Sequence, residues 1–138
     1  MPFDSAAALS ALRPWDVIFP FDRLARPGKF KMWMCVSKEQ LSFLRISSEP
    51  YKPCCTPIGA DRHAFLERDS FVGCGGDLIT PVEADLLDAM VRQNVVERQG
   101  IVGRIHAEDR AAICAALRTS EYRAPAQLAV ILPELGCS

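Results

Sequence analysis

The chain has 138 residues, of which 49% are hydrophobic and 24% are charged, and its formal net charge at pH 7 is −1. This length suits one globular domain with its own core, and a charge so close to zero singles out no class of partner. The longest apolar runs, such as residues 128–132, are much shorter than the roughly 18 residues that a membrane span needs. We therefore predict a single soluble domain over residues 1–138 with no membrane partner.

The charges are unevenly distributed along the chain. Residues 1–62 carry nine Lys/Arg and six Asp/Glu, whereas residues 63–138 carry seven and eleven, so that the two parts have net charges of +3 and −4. The basic part contains the stretch "DRLARPGKFK" at residues 22–31, which holds four cations within nine positions. Such a stretch is typical either of a solvated, edge-protecting loop or of a surface that contacts an anionic partner.

The cellular compartment is predicted from the N-terminus and the cysteines. The first residues include Asp4 and no basic region, which is atypical of a signal peptide. Six cysteines are an even number, but a disulfide framework is expected mainly in secreted domains. Cys35, Cys74 and Cys114 sit in apolar runs, where cysteine behaves as a small hydrophobe. We therefore expect reduced cysteines and a cytoplasmic location.

The first half of the chain predicts a helix followed by strands. Alanines and leucines after the N-cap residue Asp4 predict a short helix that ends before Pro14, an N-terminal helical extension over residues 1–14. Three apolar runs predict consecutive strands, of which the second is nearly all apolar and so central in a sheet. These strands cover residues 15–21, 30–37 and 41–47, and Leu41, Phe43, Arg45 and Ser47 share one face of the third.

The second half alternates short strands with helices. A proline-rich loop with a short edge strand is predicted first, and a helix with Thr80 as its cap and Pro81 at its first position follows two more strands. A bent strand and an amphipathic helix come next, and the C-terminal extension 121–138 contains an apolar run that fits either a strand or a short helix. The elements are a loop at 48–63, strands at 55–58, 64–69, 70–76 and 95–105, and helices at 80–94 and 106–120.

Several short strands joined by turns predict a small antiparallel barrel or a strongly bent sheet. Because the longer helices come late in the chain, the predicted fold class is α+β.

Five segments, in this order, resemble the PemK/MazF-type toxin family. They are "WDVIFPFD", "ARPGKFKMWMCVS", "FLRISS", "DSFVGCGGDLITP" and "VVERQGIVGRIHAEDRAAICAALRTS", which lie within residues 15–120. The last segment is similar to the family's bent strand with a Gly-Arg step, here Gly103-Arg104, followed by an amphipathic helix with acids in its first turn.

This resemblance implies a small SH3-like antiparallel β-barrel with appended helices, including a C-terminal helix after a bent strand. It also implies a homodimer, and a metal-independent endoribonuclease toxin of a toxin–antitoxin system that cleaves single-stranded RNA without a cofactor. An antitoxin protein would be a second partner. The alternative is a non-catalytic SH3-like barrel module that binds nucleic acid or a protein partner.

Cleavage of RNA through its 2′-hydroxyl needs a base, an acid and a cation that stabilises charge on the phosphate oxygens. Arginine suits the last role because its planar fork matches phosphate oxygens and stays charged. By position in the family, Arg26 is the catalytic arginine and Ser47 or Ser48 is the catalytic hydroxyl; the strand register leaves the choice between the serines open. The predicted RNA-binding cations are Arg23, Lys29, Lys31 and Arg45.

Aromatic and potential metal-ligating residues are further candidates for the site. Trp33 or Phe30 would stack on a base, although a core position fits Trp33 better. His63 with Cys54, Cys55 and Cys74 lacks the ligand spacing of a structural zinc site, so no metal is predicted. His106 is expected to lie in the cap of the last helix.

Overall fold

The computed structural model describes residues 5–19, 21–22, 29–50, 55–75, 78–87, 101–120 and 124–137. The strands are β1 (Asp16–Ile18), β2 (Phe21–Asp22), β3 (Lys29–Phe30), β4 (Met32–Ser37), β5 (Ser42–Ser47), β6 (Cys55–Ile58), β7 (Ser70–Gly73) and β8 (Ile101–Arg104). The helices are α1 (Ser5–Ala11), a 3₁₀ turn (Ala60–Arg62), α2 (helical over residues 83–87), α3 (Ala107–Thr119) and α4 (Pro125–Leu135).

Six strands form one antiparallel sheet in the order β6-β7-β5-β4-β1-β8, and β2 pairs with β3 in a separate two-stranded ribbon. The α+β class is therefore confirmed. The sheet of the described residues is open, with β6 and β8 at its edges. The register of β8 against β1 shifts between Val17 and Ile18, as a bulge does, and this fits the predicted bend.

The centre of the sheet is buried on both faces, because successive apolar side chains of its central strands point to opposite faces. On β4, Met34 and Val36 join a first hydrophobic cluster, and Trp33 and Cys35 join a second. Helices α3 and α4 contribute Ile113, Leu117, Ile131 and Leu135 to the first cluster, whereas α1 and α2 border the second through Leu9 and Leu86. The prediction that the second strand is central and covered on both sides is confirmed.

Helix α3 begins and ends largely as predicted. His106 is its N-cap, and the ring Nδ1 accepts a hydrogen bond of 3.2 Å from the Glu108 amide. Acids in the first turn and Arg118 in the last complement the helix dipole. The predicted cap position of His106 is confirmed.

Three predictions on local structure need correction. The strand predicted over 15–21 is divided into β1 and β2, which belong to different sheets. Residues 64–69 form turns and not a strand, since they lead from the 3₁₀ turn back to β7. Helix α2 begins at residue 83, because the first helical bond runs from the Leu86 amide to the Val82 carbonyl, so Thr80 is not its cap.

The C-terminal extension forms a helix that packs on the sheet. Proline at the first turn of α4 and Gly136 in a left-handed conformation (φ 73°) mark its two ends. The Cys137 amide donates to the Leu132 carbonyl at 2.9 Å, which closes the C-terminal turn. A disulfide joins Cys137 to Cys114 on α3, so the expectation that Cys114 is a reduced hydrophobe is wrong. Within the described residues, no helix has both the length and the apolar character of a membrane span.

Candidate functional site

A cleft of about 580 Å³ opens at the end of the sheet where β4 begins and β5 ends. Its volume lies within the range of small-molecule binding sites. Half of the described residues that line it are apolar and half are polar. The apolar residues are Phe19, Met32, Ile46, Phe65, Leu66 and Val102, and the polar residues are Lys31, Ser47, Ser48, Glu67, Arg68 and Ser70.

Antiparallel pairing brings the polar residues together from three separate segments. Met32 at the start of β4 pairs with Ile46 near the end of β5, and Ser47 pairs with Phe71 on β7. The turn that precedes β7 is therefore placed beside the end of β5, and it carries Glu67 and Arg68.

The apolar floor depends on a close approach between the turn and the edge strand β8. A side chain at Gly103 would collide with the ring of Phe65, so glycine at this position lets the ring lie against β8. Val102, next in sequence, also lines the cleft. The segment after β6 thus contacts the edge strand β8 through Phe65.

The hydroxyl groups of the cleft differ in what they bind. The Ser47 hydroxyl accepts a long hydrogen bond of 3.4 Å from the Glu49 amide, which leaves its proton available for a ligand. The Ser70 hydroxyl donates at 3.0 Å to the Arg68 carbonyl, so it stabilises the turn. Ser48 is exposed in the bend that follows β5. Since both Ser47 and Ser48 line the cleft, the register does not exclude either of them.

The charged side chains that line the cleft are Lys31, Glu67 and Arg68. Lys31 is half-buried just before β4, while Glu67 and Arg68 are exposed. Within the described part of the chain, the side chains of Glu67 and Arg68 form no hydrogen bond or ion pair. Among the described residues that line the cleft, two cations and one carboxylate give a net positive charge, which favours an anionic ligand.

A buried polar cluster holds the base of the turn against α3. The His63 ring is buried; its Nδ1 lies 2.7 Å from the Gly59 carbonyl, and its Nε2 accepts from the His106 amide at 2.9 Å. Arg62 binds both carboxylate oxygens of Asp109, at 2.7 and 3.1 Å. This hydrogen bonding, together with the charge of Asp109, raises the pKa of the Arg62 guanidinium. This cluster holds Arg62 and His63 in place, and the residues that follow them in sequence, from Phe65 on, line the cleft.

A second buried carboxylate lies where β1 begins. Asp16 accepts a hydrogen bond of 2.8 Å from the Arg13 amide, and one of its oxygens is 3.4 Å from Arg104 Nε. Burial nevertheless raises the pKa of Asp16 above its ordinary value, and the neighbouring arginines only partly oppose this. Arg110 packs over the Trp15 ring at 5.3 Å from its centroid, and its pKa is lowered by burial and by Arg104. Asp16 does not line the cleft, and its contacts are with Arg13 and Arg104.

Three of the predicted site residues meet in the cleft, namely Lys31, Ser47 and Ser48. Arg45 is half-buried opposite Trp33, on the face of β5 away from Ile46, and does not line the cleft. Arg45 shares its face of β5 with Ser47, and its predicted role stays a prediction.

The structure does not test the predicted roles of the remaining residues. Arg23 and Arg26 lie outside the described residues. Lys29 and Phe30 belong to β3, but their side chains are not described. Their predicted roles stay predictions.

Trp33 is a core residue and not a platform for a base. Its side chain is buried in the second cluster, and its ring centroid lies 5.7 Å from that of Phe43. Phe65 is the half-buried aromatic residue that the cleft offers from the turn.

The histidine and cysteine side chains of the described residues serve in capping, hydrogen bonding, a disulfide and packing. Cys74 is buried and its sulfur lies 3.4 Å from the Thr56 hydroxyl, whereas Cys55 is half-buried on β6. In the ranges that the structure describes, no group of three or more His, Cys, Asp or Glu side chains is placed to hold a metal ion. Cys54 lies outside those ranges.

Sequence reasoning missed Glu67 and Arg68 because it assigned them to a strand. One signal was present: the run "ERD" at residues 67–69 puts three consecutive charges before β7, which is unusual for a buried strand and typical of a turn. Comparison of the chain with models of protein families finds no match, and comparison with curated proteins also finds none.

Proposed function

We propose that this protein is a metal-independent endoribonuclease toxin of a toxin–antitoxin system, and that it binds single-stranded RNA in the cleft. The observation that supports this most is the meeting of Lys31, Ser47 and Ser48 at one site, to which the turn adds Arg68. Cations and hydroxyls are the groups that contact phosphate oxygens.

The apolar residues of the cleft fit the base of a nucleotide. Phe65, Met32 and Ile46 offer a surface for the flat face of a base, and base–aromatic contacts tolerate any sequence. Only an unpaired base can leave its stack and enter such a cleft, so the proposal specifies single-stranded RNA. Lys31 and Arg68 then contact the phosphates on either side of that base.

The resemblance to the PemK/MazF family supplies the rest of the proposal. It includes the SH3-like barrel, the homodimer and an antitoxin that covers the cationic cleft. A cytoplasmic location is also part of the proposal and rests on the sequence, not on the resemblance. Arg26 is proposed as the arginine at the reacting phosphate, and Ser47 or Ser48 as the hydroxyl that binds one of its oxygens.

The test is incubation of the purified protein with single-stranded RNA in EDTA, followed by gel analysis of the fragments. We expect cleavage by the unmodified protein, strong loss of it in Arg26→Ala and partial loss in Arg68→Gln. Arg118→Gln is the matched control, since Arg118 is an exposed arginine at the far end of α3. Intact RNA with the unmodified protein contradicts the proposal.

One observation favours the alternative, a non-catalytic module that binds nucleic acid. Among the described lining residues, no imidazole is present and Glu67 is the single carboxylate, so proton transfer rests on few groups. The alternative predicts intact RNA together with binding that weakens as salt rises, because phosphate contacts release counterions. Absence of RNA binding at any salt would leave recognition of a protein partner.

A further inference from the structure

Glu67 is a carboxylate with no structural task in the described part of the chain. It is exposed, it lines the cleft, and its side chain forms no hydrogen bond or ion pair with a described residue. The nearby Asp69 differs, because its carboxylate accepts a hydrogen bond of 2.9 Å from the Ala60 amide and so holds the segment together. Glu67 is therefore free to contact a ligand.

The backbone on both sides of Glu67 is fixed. Before it, Leu66 is buried and its amide donates to the His63 carbonyl at 3.0 Å. After it, the Arg68 carbonyl accepts from the Ser70 hydroxyl at 3.0 Å. A side chain on such a turn is presented to the cleft from a constant position, which a group that transfers protons requires.

The other groups of the cleft complement a carboxylate that removes a proton. Lys31 and Arg68 are cations suited to the phosphate, and the Ser47 hydroxyl keeps a proton to donate to a phosphate oxygen. A carboxylate placed among them does not bind phosphate, since like charges repel. Its useful partner in RNA is the ribose 2′-hydroxyl, which can donate a hydrogen bond.

We propose that Glu67 is the general base that takes the proton of the ribose 2′-hydroxyl during cleavage. This inference rests on the proposed function. The 2′-oxygen forms a bond to phosphorus while its proton moves to the Glu67 carboxylate, and the bond between phosphorus and the 5′-oxygen of the next nucleotide breaks. That 5′-oxygen keeps the electron pair and takes a proton from water, and the resulting hydroxide takes the proton back from Glu67. The products are a 2′,3′-cyclic phosphate and a 5′-hydroxyl.

The pH dependence of the rate follows from this role. Protonated Glu67 cannot accept a proton, so this role requires a loss of rate towards acidic pH that Glu67→Gln does not show. The charged groups around it are Lys31 before β4 and Arg68 on the same turn, both in the cleft, with Asp69 directed to Ala60 and Glu49 exposed after β5.

The experiment compares Glu67→Gln, Glu67→Asp and the unmodified protein under single-turnover conditions in EDTA, from pH 5 to pH 9. Glu83→Gln is the matched control because Glu83 is an exposed glutamate on α2 that does not line the cleft. Affinity is measured separately with 2′-O-methyl RNA, which binds but lacks the reacting hydroxyl. Thermal unfolding of each variant verifies that the fold is intact.

We expect Glu67→Gln to cleave about 10²-fold or more slowly than the unmodified protein, which is the usual contribution of a general base. The affinity of Glu67→Gln for 2′-O-methyl RNA is expected to be unchanged, and its rate is expected not to fall at acidic pH. Glu67→Asp is expected to retain part of the rate. If the unmodified protein cleaves RNA and Glu67→Gln cleaves it equally fast and with the same pH profile, this inference is overturned and the proposed function is not. An unmodified protein that binds RNA without cleaving it overturns the proposed function and the inference with it.

Discussion

The two ends of strand β4 differ in how completely their polar groups are satisfied. At the end near Ser37, helix α4 covers the sheet, and at the other end Lys31 and Met32 border the open cleft. The strand runs through the middle of the sheet and its centre is buried on both faces. One rigid element therefore joins a closed end to an open end.

At the closed end, α4 uses both its side chains and its backbone. Glu134 accepts from the Ser37 hydroxyl at 2.7 Å and from the Lys38 amide at 2.9 Å. Trp15, whose backbone is left-handed (φ 80°), donates from its indole nitrogen to the Leu135 carbonyl at 2.8 Å. A strained backbone of this kind persists only where its surroundings determine it.

At the open end, the side chains of Glu67 and Arg68 form no bond with the described residues, and the Ser47 hydroxyl has a proton to give. Among the described residues, the two ends therefore separate bonded polar groups from unbonded ones along one strand. Substitutions at the closed end should change the free energy of unfolding, and substitutions at the open end should change ligand binding or rate.

The largest change in stability is expected from Ile131→Ala. Ile131 is fully buried where α4 packs on the first cluster, and truncation of such a side chain costs about 2–5 kcal/mol through lost burial and the cavity that remains. Val82→Ala, at a valine that is 65% exposed, is the control and should change stability by less than about 0.5 kcal/mol. Urea unfolding measures both; equal midpoints would mean that α4 does not stabilise the sheet.

The next largest effect is expected from Cys137→Ser. Removing a disulfide that joins residues 23 apart should lower the free energy of unfolding by about 2–4 kcal/mol. Cys55→Ser removes a free, half-buried thiol and serves as the control. Reduction of the unmodified protein should reproduce the Cys137→Ser unfolding curve. If reduction has no effect on that curve, α4 is held by packing and by Glu134 alone.

Local signals in the sequence predicted most of the sheet. The apolar run of β4 indicated a strand buried on both faces, and "CTPI" indicated the edge strand β6, both of which the structure confirms. The sequence also holds proline and glycine at the two ends of α4, which are helix signals, whereas Pro133 within the run disfavours a helix. The choice between strand and helix there depended on packing against β4, which no local pattern contains.

The candidate site was only partly predictable. Ser47 and Ser48 were predicted from the resemblance to the toxin family and Lys31 from the basic stretch, but Arg68 and Glu67 reach the cleft through a turn held by long-range contacts. The bond from the His106 amide to His63 joins residues 43 apart, and the pairing of Cys114 with Cys137 is likewise a tertiary event. Neither leaves a periodic pattern in the sequence.

At the open end, Arg68→Gln should weaken binding of 2′-O-methyl RNA without a measurable loss of stability. Because one phosphate contact is lost, we expect the slope of log affinity against log salt to become shallower by about 0.7, equally for different RNA sequences. Arg118→Gln, which also removes one exposed arginine, should leave the slope unchanged. An equal change of slope in both variants would show that net charge and not the cleft controls binding.

The smallest effect is expected from Cys35, which lies on β4 between the two ends and is fully buried. Burial, assisted by Asp16 and Glu134, raises the pKa of its thiol to about 12. An unfolded chain ionises this thiol near pH 9 and the folded chain does not, so its contribution to stability is complete below pH 9 and is lost as the pH rises towards 12.

The free energy of unfolding, measured from pH 8 to pH 10.5, should therefore fall more steeply with pH in the unmodified protein than in Cys35→Ala. Iodoacetamide at pH 8.5 should label Cys55 on the native protein well before Cys35, since only the first is partly exposed. Because Glu134 lies near this thiol and anchors α4, labelling of Cys35 also reports release of the closed end. Faster labelling in Cys137→Ser but not in Arg68→Gln would show that the closed end opens independently of the cleft, whereas equal labelling in both would place the two ends in one cooperative unit.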